Sequence, residues 1–168
     1  MISSVGMARK KKNRSEAVYD DFCCTVDSWR REYSHGINRF RWELNPEVLN
    51  ESDHLVIEGT VRNHDTNRRS NRRHFKSIEL WITPTYTPRS QWRKDPEAVG
   101  AVWTEKGEKG KLRAGVQLAA DAFYSLIPCL AINHFKQFSL KVLNLRYSQG
   151  SIDNISLQPE EIPREDIA

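Results

Sequence analysis

A chain of 168 residues with 38% hydrophobic and 29% charged content suits one soluble domain that can bury its own core without a disulfide or metal staple. No run of eighteen apolar residues occurs, which excludes a helical membrane span, and Met1–Met7 is followed by basic residues instead of an apolar stretch, which argues against a secretory leader. The net charge of +4 is uneven: the segment Arg9–Arg14 carries +5, and the stretch from Arg62 to Lys76 another +5, so the rest of the chain is acidic at −6.

The first fourteen residues hold few large apolar side chains and read as a disordered basic arm. Met7 is an alternative start. Residues Ser15–Tyr33 fit two periods. Val18, Phe22, Val26, Trp29 and Tyr33 have helical spacing, while Phe22, Cys24 and Val26 alternate as in a strand. The reading adopted is a short helix over Ser15–Asp21, then a hairpin of Phe22–Arg31 with Ile37–Leu44. Its turn is placed at Ser34-His35-Gly36. Asn45-Pro46 ends that strand, and Glu47–Asp53 is a polar connection.

His54–Arg62 is expected to be a strand. Gly59 falls on the same face as Leu55, Ile57 and Val61, which predicts a bulge or the close approach of a neighbouring strand. Asn63–Arg73 is a long polar loop, Phe75–Thr83 a strand closed by Pro84, and Thr85–Glu97 a second long loop. Ala98–Thr104 and Leu112–Leu118 are strands joined by the charged turn Glu105–Gly110.

Ala119–Ile127 is the one amphipathic helix, with Ala119, Ala122, Phe123, Leu126, Ile127 and Leu130 on one face and Asp121 placed to cap or complement its N-terminus. Pro128 stops or kinks it, because proline has no N–H for the Tyr124 carbonyl. In Phe135–Tyr147 the apolar phase changes at Val142-Leu143, which predicts a β-bulge or a strand that crosses between sheets. Ile152, Ile155 and Leu157 mark a last strand. Residues 158–168 read as an acidic, disordered tail. The total is about eight strands and one helix, a mainly β fold at the margin of α+β: an antiparallel sandwich or a flattened barrel spanning residues 15–157.

No catalytic, metal or cofactor motif is present. The five histidines have no metal-ligand spacing, and neither a nucleophile elbow nor a phosphate-loop pattern occurs. Cys23, Cys24 and Cys129 make an odd count without a C-x-x-C spacing. They read as reduced thiols in a reducing compartment, and the expected location is cytoplasmic.

The chemistry is concentrated in the loops. Arg68, Arg69, Arg72 and Arg73 arrive as two pairs beside Arg62, and guanidinium forks suit bidentate phosphate binding. Trp92 with Arg93 supplies the aromatic and cation that a base-stacking surface needs. The bland alternatives are a polar hairpin that guards a sheet edge and a loop pinned by a buried tryptophan. Placement of both loops at one end of the domain would favour binding. The expectation is a non-enzymatic binding module for a phosphate-bearing partner, nucleic acid first. A rival is an assembly subunit that pairs with a protein partner or with its own copies. An enzyme reading rests on His64, Asp65 and His74. No cofactor, metal or membrane partner is expected.

Overall fold

The computed structural model describes residues 18–37, 49–67, 74–91, 98–146 and 149–159. Among them the elements run β1 (Tyr19–Thr25), β2 (Ser28–Ile37), β3 (Leu49–Thr66), β4 (Ser77–Thr85), β5 (Gly100–Trp103), β6 (Lys111–Ala119), α1 (Ala120–Ala131), β7 (Gln137–Arg146) and β8 (Gln149–Gln158). The sheet order is β1-β7-β8-β5-β6-β4-β3-β2, and β3 also pairs with β1. That second pairing closes seven strands into a barrel and leaves β2 as an extra strand beside the first half of β3.

The closure depends on the length of β3. Its 18 residues pair through Leu49–Glu58 with β2 and through Val61–Thr66 with β1, so one strand serves two successive neighbours on the same side. Between those neighbours the chain bends at Val26-Asp27, where Val26 N–H leaves β3 and donates to the Lys136 carbonyl at the start of β7. A register shift at Cys23/Cys24 marks the same corner. Bulges and bends of this kind let a twisted sheet close.

Alternation then sorts the side chains. Phe22, Cys24, Leu55, Ile57, Ile78, Leu80, Ile82, Leu112, Ala114, Phe138 and Leu140 fill the interior, each buried. α1 follows β6 directly and contacts β4 and β6, and its Phe123 and Leu130 join the same core. The helix therefore marks the barrel end where β4 and β6 finish.

The barrel form of the expected architecture fits this strand pairing. The sandwich form is not what the pairing describes, and the sheet is mixed, because β4 and β6 run parallel. Gly59 meets its expectation: an added Cβ would lie 2.2 Å from the Thr25 carbonyl oxygen and 2.4 Å from the Phe138 ring. The phase change in β7 is also present, as register shifts against β8 at Lys141/Val142 and Leu143/Arg146, and Asn144 takes a positive φ of 52°.

Several expectations are corrected. The turn at Ser34-His35-Gly36 is strand, because β2 runs on to Ile37 and pairs with β3 instead of turning back; turn-type residues are tolerated in a strand that has no second strand partner among the described residues. The predicted partner segment 38–44 lies outside the described residues. β3 begins at Leu49 and ends at Thr66, absorbing polar residues on both sides that find backbone partners in β2 and β1. Tyr19–Asp21, expected to be helical, is strand paired to β7 and β3. β4 continues through Pro84 to Thr85. α1 carries Pro128 inside it and ends at Ala131, so of the two outcomes expected at the proline the stop does not occur and the helix runs on. Asp121 makes no capping bond but stands in the first turn, where its charge complements the N-terminal dipole, and it pairs with Arg89 at 2.9 Å. No helix of the described residues is long and apolar enough to cross a membrane.

Candidate phosphate-binding rim and outer groove

The end of the barrel opposite α1 is formed where β3 finishes and β4 and β6 begin. Lys76 N–H donates to the Gly110 carbonyl at 2.7 Å, which sets the β3–β4 connection beside the β5–β6 turn. That turn, Glu105–Gly110, is tight because Gly107 and Gly110 take φ of +97° and +83°, values open to glycine at little cost. It carries Lys106 and Lys109, both exposed, next to exposed His74 and Lys76, and Arg62 is exposed on the outgoing end of β3.

These cations differ from those on the walls. Arg30 pairs with Glu32 and Glu58, Arg31 with Asp53, Arg89 with Asp121, and Lys111 and Arg113 with Glu79. Arg113 also reaches Glu105 and Glu108. Among the described residues, no ion pair is made by Arg62, Lys76, Lys106 or Lys109. Arg62 acts only at longer range: burial pushes the Asp27 carboxyl up, but hydrogen bonds from Thr25 and Thr60 and the field of Arg62 hold it below the usual range.

Inside this rim His64 Nε2 lies 3.0 Å from Asp20 Oδ1, and its ring stacks on Phe22 with centroids 4.3 Å apart. His64 is thus turned toward buried Asp20 and Phe22, whereas Asp65 and His74 are exposed. Among the described residues no three metal-capable side chains come together.

A groove of about 720 Å³ runs along the outer wall, lined by Trp81, Gly100, Trp103, Arg113, Gly115 and Gln117 among others. It exists because Gly115, on the outward face of β6 between Trp81 of β4 and Ala101 of β5, has no side chain. The Trp103 ring occupies part of that space, 3.1 Å from where a Cβ would stand. Beneath Trp81 lies buried Glu79, which accepts from the indole Nε1 at 2.8 Å and from Lys111 Nζ at 2.6 Å. Burial pushes the Glu79 carboxyl up, but Lys111, Trp81 and Arg113 outweigh it and hold the group below the ordinary glutamate range. The groove offers half-buried indole faces beside a fixed guanidinium, a surface suited to a flat ring or base.

At the α1 end, Arg31 grips Asp53 with two bonds of 2.9 and 2.6 Å, and the Tyr124 hydroxyl donates to the same carboxylate at 3.3 Å. Tyr86 and Tyr124 share a hydroxyl contact of 2.8 Å. The described start of the Thr85–Glu97 segment is therefore fixed against α1, at the opposite end of β4 from His74. The span of β4, nine residues, separates them by about 30 Å. The condition that both loops share one end is not met by their described flanks.

Of the residues singled out in the sequence, Arg62 is described and exposed at the rim; Arg68, Arg69, Arg72, Arg73, Trp92 and Arg93 lie outside the described residues. Sequence reasoning missed Lys106, Lys109 and the groove tryptophan Trp103. The Glu-Lys-Gly-Glu-Lys-Gly turn signalled a hairpin, but nothing local says which neighbour it touches. No family model, curated protein or solved structure matches this chain.

Proposed function

We propose that this chain is a non-enzymatic barrel module that binds a phosphate-bearing polymer, nucleic acid first, at the rim opposite α1. The observation that carries the reading is the grouping of Arg62, Lys76, Lys106 and Lys109, four exposed cations without an acidic partner among the described residues. Chain connectivity adds to it. Arg68 follows Asn67 and Arg73 precedes His74 at this rim, and Arg14 stands four residues before Val18, where the chain enters β1. Cations that neutralise no internal carboxylate are the ones that release counterions on binding a polyanion. The groove supports a single strand over a duplex: Trp103 ends β5 near the rim, and an indole face there can stack a base while the phosphates meet the lysines.

The test is fluorescence anisotropy with a labelled single-stranded oligonucleotide, with a duplex and heparin as comparators, across a salt series. Binding should weaken steeply with salt. Replacing Lys76, Lys106 and Lys109 by Ala, and separately Arg68, Arg69, Arg72 and Arg73 by Ala, should each lower affinity and flatten the slope by about one unit per lost contact. Trp103→Ala should weaken the oligonucleotide but not heparin. Affinity unchanged by both sets of substitutions would remove the rim from consideration.

A further inference from the structure

The sheet ends at β2, whose only strand partner among the described residues is β3. An edge of ten residues presents a row of backbone groups ready to pair with another strand. Natural edges are usually blunted by a bulge, a proline or a lysine. Ser28–Ser34 carries no bulge, proline or lysine and keeps a regular register with β3 throughout; its one inward-facing charge, Arg31, is paired with Asp53 of its own chain.

The sequence of that edge is complementary to itself. Placed antiparallel to a second copy about a two-fold axis at Arg31, Arg30 faces Glu32 of the other copy, Trp29 faces Tyr33, and Ser28 faces Ser34. All three pairs keep the faces right. Arg30 and Glu32 lie on the outer face, with side chains 45% and 43% exposed. Trp29 and Tyr33 lie on the face toward the core and α1, where Trp29 packs against the core and Tyr33 is 55% exposed. Shifting the axis by one residue sets Arg30 against Arg30 or Glu32 against Glu32, so charge disfavours both neighbouring registers. The remaining like pair, Arg31 with Arg31, is defused in advance: each guanidinium is turned to its own Asp53 by two hydrogen bonds and held over the Tyr124 ring, 5.8 Å from the centroid.

We infer that two copies of this chain pair edge to edge through β2, antiparallel about Arg31, joining two barrels by a continuous sheet. The existing contacts of Arg30 with Glu32 and Glu58 within one chain are exposed and exchange for the intermolecular pair at little cost.

Charge reversal tests this on the full chain by sedimentation velocity over about a hundredfold range of concentration. The native chain should be a concentration-dependent dimer. R30E alone and E32R alone each place like charges opposite one another and should shift the chain to monomer. Mixing the two single variants restores both opposite-charge pairs only between unlike chains, so the mixture should form a heterodimer, and the double reversal should dimerise with itself. Hydrogen exchange of the native chain gives a reading that needs no variant: amides of Ser28–Ser34 should gain protection as concentration rises. A native chain that is monomeric throughout, a dimer that survives both single reversals, or β2 amides whose exchange ignores concentration would each overturn the proposal.

Discussion

Glu79 Oε2 accepts a hydrogen bond from Lys111 Nζ at 2.6 Å across the parallel pair β4–β6, joining residues 32 apart in the chain. The carboxylate is buried and its other oxygen takes the Trp81 indole and faces Arg113. This is the charged centre on which the outer wall is assembled, and it fixes the Trp81 side of the groove.

Stability should therefore fall in acid. Glu79 is held below its ordinary value of 4.5 because its cationic and indole partners outweigh the upward push of burial. Asp53, gripped first by Arg31, and Glu32, held first by Arg30, are also depressed. A depressed acid stabilises the fold above its unfolded pKa, and that contribution disappears as pH falls through the folded value. Thermal melting should thus be flat between about pH 5 and neutrality and drop below about pH 4. Glu79→Gln should cost about 1–3 kcal/mol near neutrality and flatten the acid limb. Melting curves for this variant as steep in acid as the native ones would contradict the assignment.

At the other end of the barrel the sign is reversed. The Tyr124 phenol is pushed up to about 12, first by the Tyr86 hydroxyl, then by burial and by the Asp53 charge. A raised group stabilises the fold below its unfolded value of 10.0, and the contribution is lost as pH climbs toward the folded value. Ultraviolet titration should show one phenol ionising well after the others. Tyr124→Phe should delete that late step, whereas Tyr86→Phe should move it down. If the late step survives Tyr124→Phe, the phenol responsible is another one.

How much of this was readable beforehand follows the range of the interactions. Gly59, the bulge in β7 and the α1 stripe were legible because each is a break or a period within one element. Closure was not, since it rests on β3 meeting β1 as well as β2, and no local pattern records two successive neighbours. The Ser34-His35-Gly36 stretch has turn chemistry, yet it lies in a strand paired residue by residue with β3, and that pairing is not written in its local pattern. Glu79 alternates with Leu80 like any solvent-facing acid. Only the parallel pairing with β6, with β5 intervening in sequence, brings Lys111 and Arg113 over it. The arginine segment was visible as charge, but the Lys106–Lys109 turn gained meaning only when the Lys76–Gly110 backbone bond set it alongside.

The cysteines give a test of the interior. Burial first, with the neighbouring Cys23 and Asp27 adding to it, pushes the Cys24 thiol up to about 12, so it is both inaccessible and protonated at neutral pH. Cys23 and Cys129 are only partly buried. A thiol reagent should label those two in the native chain and Cys24 only on unfolding, with a rate that follows global stability. Rapid native labelling of Cys24, read by mass spectrometry of the modified peptide, would contradict the closed corner at β1.

Gly59 and Gly107 separate two reasons for glycine. At Gly59 the backbone is ordinary but the space is taken: a methyl would stand 2.2 Å from the Thr25 carbonyl oxygen, at the corner where the β1–β3 pairing ends at Cys24 while the β1–β7 pairing runs on to Thr25. A carbonyl oxygen held in the bend cannot swing aside as a side chain would, so β1 must move off and the barrel opens. Gly59→Ala should cost more than about 3 kcal/mol, beyond the usual range for overpacking. At Gly107 nothing lies within 4 Å, but φ is +97°, so only the backbone objects. Gly107→Ala should cost about 1–2 kcal/mol. Urea denaturation of the two variants should show this order. Equal losses would mean that the barrel tolerates movement at its corner and that the β1–β3 contact is not what holds it shut.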